Sequence, residues 1–231
     1  MIAQLRRQNS CILRSMATNP KTSDSALLDQ VQKATSQLDL TLSDIQFLRL
    51  TQYLELISKW NKVYNLTAIR DLNAMITHHL VDSLLVSPYI QGEKILDVGT
   101  GAGLPGIPLA ILYPEKQFLL LDSKQKKTRF LAQVVIELGL DNVKISSDRI
   151  EHFAPDALFD TIISRAFSTI AKLLQVAGKL CAQQGQIVFM KGTYPTEELT
   201  AVPLGFHLDQ ITRLDIPGVD AERHVAVIKP T

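Results

Sequence analysis

The sequence predicts an α/β fold: a parallel β-sheet that ends in an antiparallel hairpin and is preceded by N-terminal helices. Three observations predict it. From residue 93 onward, short apolar runs alternate with helical stretches, the texture of successive βαβ units. Within them, an apolar strand ending in Asp97 runs straight into a turn carrying Gly99, Gly101 and Gly103. The last two strand-like runs are joined by Pro217, Gly218, Val219 and Asp220. That is too short for a parallel return, which takes a dozen residues or more.

The elements follow in order. Thr41 or Ser43 is placed to cap a helix carrying Phe47, Leu50, Leu54, Ile57, Trp60 and Tyr64 at three-to-four spacing. Asp71 is placed to cap a second, with Ile76, Leu80 and Leu84 on one face. His78 and His79 lie on that stripe and read as core or surface histidines. Strands are expected at 94–98, 117–122, 143–146, 160–164 and 186–191, with helices opening at Leu104 or Pro105, spanning 124–139, and running from about Thr169 to Cys181. The hairpin strands are expected at 206–216 and 223–228.

A chain of 231 residues suits one α/β domain with an appendage, or two small domains. The expected division is a basic, disordered extension over 1–25, a helical segment packed on the core over 26–92, and the core itself over 93–231. Residues 1–23 hold Arg6, Arg7, Arg14 and Lys21 and no acid, but no continuous apolar run of the kind a signal peptide needs. The stretch faintly resembles a transit peptide, being Arg- and Ser-containing; the favoured reading is a disordered extension, or Met16 as the true start. No run of 18 apolar residues suggests a membrane span. Cys11 and Cys181 lack metal spacing, which fits a reducing cytoplasm and no metal. The net charge is only +1, so the placement of charge says more than its sum. Lys124, Lys126, Lys127 and Arg129 crowd one segment and favour a phosphate-rich partner.

Ligands of open α/β sheets bind beyond the carboxyl ends of the strands. Here those ends are polar. The glycine turn, followed by a helix N-terminus with free N–H groups, suits a nucleotide-type cofactor. Asp97 discriminates between two candidates. It would repel the pyrophosphate of NAD and favour a cationic sulfonium. The pattern Asp97-x-Gly99-x-Gly101-x-Gly103 resembles motif I of the class I S-adenosylmethionine-dependent methyltransferases, a Rossmann-like fold. Asp122 surfaces after an apolar strand and either accepts both ribose hydroxyls or caps the helix that follows, a task Ser123 could take instead. Ile150 and Glu151 either line an adenine or begin a solvated helix. Arg165, at the end of a buried strand, must reach a partner or a cleft, and is the candidate catalytic residue. Phe167 either stacks on a base or packs in the core.

Absences narrow the acceptor. The Asn/Asp-Pro-Pro-Tyr/Phe motif that goes with methylation of exocyclic amines is replaced here by Ser164-Arg165-Ala166-Phe167. Neither cysteine has the setting of a cytosine C5 nucleophile. What remains includes guanine N7, which carries an in-plane lone pair and needs positioning rather than a base.

Five segments follow in order: His79-Leu-Val-Asp82-Ser83-Leu84, Asp97 to Pro108, Leu121-Asp122-Ser-x-x-Lys126-Lys127-x-x-Phe130-Leu131, Ser164 to Phe167, and Glu222-Arg223-His-Val-Ala-Val-Ile228. Together they resemble the bacterial ribosomal RNA small subunit methyltransferase G family, also called glucose-inhibited division protein B, over roughly residues 40–230. The resemblance implies methyl transfer from S-adenosylmethionine to guanine N7 of small-subunit rRNA, on naked rRNA or a ribosomal particle. It implies cofactor positions at Gly99, Leu104, Ile150, Glu151 and Arg165, beside Asp97, Gly101, Gly103 and Asp122 from the residues themselves. Arg149 and Arg223 are implied to join Lys124, Lys126 and Lys127 on the RNA. A cytoplasmic monomer without metal is expected. Two other readings stay open: a small-molecule methyltransferase with the N-terminal helices as a lid, and, disfavoured by Asp97, an NAD-dependent oxidoreductase.

Overall fold

The computed structural model describes residues 22–165, 167–216 and 222–231. Most of the expected basic extension, and the turn joining the last two strands, lie outside the described residues. The first helix, α1 (Thr22–Thr35), begins inside the stretch assigned to that extension.

Helix α2 (Asp44–Tyr64) starts where the sequence places it. The side-chain oxygen of Gln46 accepts from the backbone N–H and the hydroxyl of Ser43, both at 2.9 Å. The Gln46 amide then donates to the carbonyls of Ile111 and Leu112, both at 3.0 Å. One side chain thus ends a helix and docks it on the next layer. Asp71 caps α3 (Leu72–Met75) by accepting from the Ala74 N–H at 2.8 Å. The chain passes through a π-helical turn, Ile76–Val81, into α4 (Asp82–Leu84).

Seven strands follow: β1 (Lys94–Val98), β2 (Gln117–Leu121), β3 (Val143–Ser146), β4 (Phe159–Arg165), β5 (Cys181–Lys191), β6 (Phe206–Leu214) and β7 (Arg223–Pro230). They form one sheet in the order β3-β2-β1-β4-β5-β7-β6. The first five pair in parallel, whereas β7 runs antiparallel to both β5 and β6. Between them lie α5 (Gly106–Leu112), α6 (Gln125–Leu138), α7 (Ile170–Ala177) and a short α8 (Thr196–Thr200). The sheet order reverses between β1 and β4, and the crevice there is where the site forms.

Several strand ends shift by one or two residues from expectation, and two boundaries differ for a visible reason. Cys181 belongs to β5, paired with Phe159, rather than to the preceding helix, which ends at Ala177. The helix after the glycine turn starts at Gly106, because Pro105 has φ −92° and ψ 1° and is not helical.

Side chains alternate across β1. Ile95 packs with α2, α5 and α6 in one buried cluster, and Leu96 and Val98 pack with α7 in the other. The N-terminal helices share the first cluster through Leu50, Leu54, Ile57 and Leu80. Among the described residues no helix is long and apolar enough to cross a membrane.

Candidate functional site

The glycine turn is built from beneath. Gly99 and Thr100 donate to the carbonyl of Leu121 at 2.8 and 3.1 Å, hooking the end of β1 onto the end of β2. Gly101 has φ +65° and donates its N–H to Asp122 Oδ2 at 3.0 Å. Gly103, at φ +95°, serves packing: a Cβ there would lie 2.6 Å from Ile107 Cγ1 and 2.8 Å from Leu131 Cδ2. Tyr53 of α2 is fully buried and donates its hydroxyl to the Ala102 carbonyl at 2.7 Å. The N-terminal helices therefore brace the turn directly. Nothing in the sequence distinguished Tyr53 from other apolar-stripe positions.

Asp97 is fully buried. Its Oδ2 accepts from Thr100 Oγ1 at 2.6 Å and from the Gly106 N–H at 2.9 Å. This corrects two expectations. The first N–H of α5 is taken by Asp97 and is not free for an anion. Asp97 itself lines no cleft, because strand alternation turns it to the face opposite Val98. Its role here is to lock the turn to the helix. Its Oδ1 is buried without a hydrogen-bond partner, an acceptor held beneath the turn.

Burial raises the Asp97 pKa to about 6, against the pull of the Thr100 and Gly106 hydrogen bonds. Burial, then the nearby Arg165 charge, lowers that of His79 to about 4. His79 is a core histidine, with Nε2 2.8 Å from Thr67 Oγ1. The two groups act oppositely on stability. Protonation of Asp97 favours the fold as pH falls from above 6 to below 4. Neutral His79 favours it above pH 6.5, and that contribution is lost on the way to pH 4. Asp97→Asn should therefore make stability fall more steeply between pH 7 and 4.5 than in the parent, by about 2 kcal/mol over that range. Urea midpoints across the range check this, and parallel curves would contradict it.

Two clefts open at the carboxyl ends of the strands, with Phe167 on the wall of both. The smaller, about 370 Å³, brings together Gly99, Asp122, Ile150, Glu151 and Phe167 with Lys124, Lys127 and Arg149. Asp122 is 7% exposed and already committed on both oxygens. Oδ1 accepts from the Lys124 N–H at 2.9 Å, and Oδ2 holds Gly101 with Lys127 Nζ at 3.5 Å. Asp122, not Ser123, serves the start of α6. Each oxygen keeps a second lone pair for a ligand. Ile150 is buried and offers an apolar floor, while Glu151 is exposed. An open backbone at Gly99, a paired acceptor and an apolar wall fit an adenosyl group, and the Asp97 carboxylate beneath the turn suits a cationic tail through its charge alone. Gly103 and Leu104 are buried and line neither cleft.

The larger cleft, about 680 Å³, holds Arg165, absent from the smaller one, together with Arg223, His78 and Asp82. Ser164 pins the end of β4 by donating to the Val98 carbonyl at 2.8 Å. Arg165 Nη1 donates to the His78 carbonyl and to Asp82 Oδ2, both at 3.1 Å. Arg223 Nε donates to Asp82 Oδ1 at 2.9 Å. Asp82 was quoted above only as part of a motif. An acid at an apolar helix position, where burial demands a cationic partner, was the signal. The basic set is thereby divided. Lys124, Lys127 and Arg149 border the smaller cleft, Lys126 and Arg129 are exposed on α6, and Arg223 stands in the larger cleft. Cys181 is buried, and its thiol pKa is pushed up to about 12 by burial and then by Asp160, which disqualifies it as a nucleophile.

The profile of the family described as rRNA small subunit methyltransferase G matches residues 46–226. The ribosomal RNA small subunit methyltransferase G of Marinomonas sp. (strain MWYL1) is 48% identical over 200 residues, covering 87% of this chain and 96% of its own. That of Enterobacter sp. (strain 638) is 42% identical over 204 residues, covering 88% and 99%. Among solved structures, a SAM dependent methyltransferase from Aquifex aeolicus superposes with a TM-score of 0.54 at 19% identity, covering 74% of this chain and 97% of its own. The Pyrococcus abyssi tRNA (uracil-54, C5)-methyltransferase, solved with S-adenosyl-L-homocysteine, gives 0.51 at 23% identity, covering 63% and 36%. Both show the fold.

Proposed function

This chain belongs to the rRNA small subunit methyltransferase G family, and from that premise we propose that it transfers the methyl group of S-adenosylmethionine to N7 of a guanine in small-subunit (16S) rRNA. The observation that carries the reading is the pair of clefts sharing Phe167: a nucleoside-sized cleft over the glycine turn, and a larger one lined by arginines.

Gly99, Asp122, Ile150 and Glu151 are the residues to hold the cofactor. Asp122 accepts from the ribose hydroxyls through its spare lone pairs, Ile150 lies against the adenine, and Glu151 accepts from the adenine amino group. Asp97, Gly101, Gly103 and Leu104 act one step back, by shaping and packing the turn. Asp97 also places a negative charge behind the turn, which favours a cationic donor at neutral pH. The cofactor supplies an electrophilic methyl on a sulfonium. The guanine N7 lone pair attacks it in line, so no residue has to remove a proton. Arg165 positions the acceptor strand, and Phe167 packs between cofactor and acceptor.

The exposed Lys126, with Lys124, Lys127 and Arg149 beside the smaller cleft, is suited to RNA phosphates. A substrate of naked rRNA or a ribosomal particle fits a cytoplasmic enzyme, and one chain holding both clefts fits a monomer. The small-molecule reading loses ground because the larger cleft is arginine-lined, and the N-terminal segment, also packed into the core, supplies only part of its wall through Ile69, Ala74, His78 and Asp82.

Incubation of the protein with radiolabelled S-adenosylmethionine and either small-subunit particles or naked 16S rRNA tests the reading. Label is expected in N7-methylguanine. Label in another base, or in no RNA, would contradict it.

A further inference from the structure

Asp82 is buried, yet it carries a charge at the foot of the larger cleft. Each of its oxygens takes one guanidinium from a different strand: Arg165 from the end of β4 and Arg223 from the start of β7. The Asp82 side chain is 5% exposed, and the arginines are 23% and 25% exposed. The carboxylate is thus the hidden centre, and the guanidiniums face the cleft.

We propose that Asp82 is a positioning residue that holds Arg165 and Arg223 as a fork for one phosphodiester of the RNA strand entering this cleft. The inference rests on the rRNA reading and deepens it.

The donor inventory supports an anion. Arg165 spends Nη1 on Asp82 and the His78 carbonyl. Arg223 spends Nε on Asp82 and Nη1 on the Glu222 carbonyl. Among the described residues, Nε and Nη2 of Arg165 and Nη2 of Arg223 have no hydrogen-bond partner. Among the described residues, Asp82 is the only acid lining the cleft, and both its oxygens are engaged. Lys191 in the same cleft is neutralised by Glu198 at 2.7 Å, so two guanidiniums and one carboxylate leave a net charge of +1, matched to one phosphodiester. The bridge also limits the positive field at the acceptor. Methyl transfer delivers positive charge to the base, which two unbalanced arginines would oppose.

One other oxyanion is available, the carboxylate of the cofactor. Position favours the RNA. Neither Asp82, Arg165 nor Arg223 lines the smaller cleft, whose wall is shared with the larger one at Phe167.

Asp82→Asn separates positioning from bulk electrostatics. Removing a negative charge should tighten RNA binding if charge alone mattered. If Asp82 positions the fork, RNA binding should weaken, and kcat/KM for small-subunit rRNA should fall at least tenfold. Binding of a labelled rRNA fragment is measured over a series of KCl concentrations, and S-adenosylhomocysteine binding by calorimetry. Arg223→Ala should lower the slope of log K against log salt by about one phosphate equivalent. Both variants should keep cofactor affinity within about twofold. Arg223→Lys should restore the salt slope but not kcat/KM, because an ammonium cannot reproduce the fork. Should Asp82→Asn fail to fold, the two Arg223 variants decide.

An unchanged slope in Arg223→Ala, or tighter RNA binding by Asp82→Asn, would overturn the proposal. So would a tenfold loss of cofactor affinity with the slope intact, which would assign the fork to the cofactor's carboxylate. A parent protein that binds the RNA but methylates none of it would defeat the rRNA reading, while the salt slopes would still judge the fork.

Discussion

Arg165→Ala is expected to lower the single-turnover rate of methyl transfer about 10²–10³-fold, the usual cost of losing one preorganised polar group at a reacting centre. The loss should fall on the chemical step, because Arg165 lies in the acceptor cleft and not in the one proposed for the cofactor. The pH profile gives a second readout. Guanine N7 has no proton to lose, so the parent rate should be nearly flat from pH 7 to 9, where a tuned general base would titrate. The variant should be slower and equally flat. A rate rising tenfold per pH unit, with chemistry rate-limiting, would indicate a required base and contradict N7 as the acceptor. Arg165→Lys should recover little, since an ammonium that replaces Nη1 toward His78 and Asp82 leaves no planar Nε and Nη2 donors for the acceptor.

The second large effect is expected at the glycine turn. Gly101→Val should weaken S-adenosylmethionine binding at least about 100-fold, near 3 kcal/mol. Space is not the obstacle. A Cβ at Gly101 would meet the flexible end of Lys127 at 3.4 Å and the Gly99 carbonyl at an ordinary 3.8 Å. The obstacle is conformation. At φ +65° a β-branched residue is strongly disfavoured, so the turn must relax and withdraw the N–H that Asp122 holds. Gly101→Ala should do the same to a smaller degree. Calorimetry with S-adenosylhomocysteine measures both, and NAD should bind neither parent nor variant. Normal affinity in Gly101→Val would remove the glycine turn from the cofactor site.

The fold was legible because each element carries its own local signal. The alternation of apolar runs located β1 and β3 to the residue, and Ser43 and Asp71 marked the helix starts through capping. Boundaries slipped where a tertiary contact decided them. Cys181 joins β5 because Phe159 pairs with it across the sheet. Helix α8 arises where Glu198 reaches the Ile170 N–H at 2.7 Å and Lys191 Nζ at 2.7 Å, partners 28 and 7 residues away. No window of sequence contains those reasons.

The candidate site divides the same way. Gly99, Asp122, Ile150 and Glu151 were readable because strand ends in an α/β sheet point at one crevice. Asp97 was readable as important but misplaced. Strand period assigns it the helix-facing side, yet the charge argument alone put it beside the ligand. Asp122 was posed as ribose acceptor or cap, and the hydrogen bonds show one carboxylate serving the glycine turn and the α6 start together. Tyr53 and Asp82 escaped notice because their partners, Ala102, Arg165 and Arg223, lie between 49 and 141 residues away. A buried acid in an apolar helix is a usable sign of such a partner, though not of which one.

The most direct test of the central claim is a map of N7-methylguanine in 16S rRNA from cells with and without this protein. The modification should be present at one guanine in the parent cells and absent without the protein. It should return with the parent gene but not with Arg165→Ala. An identical N7-methylguanine map in both cells would contradict the assignment.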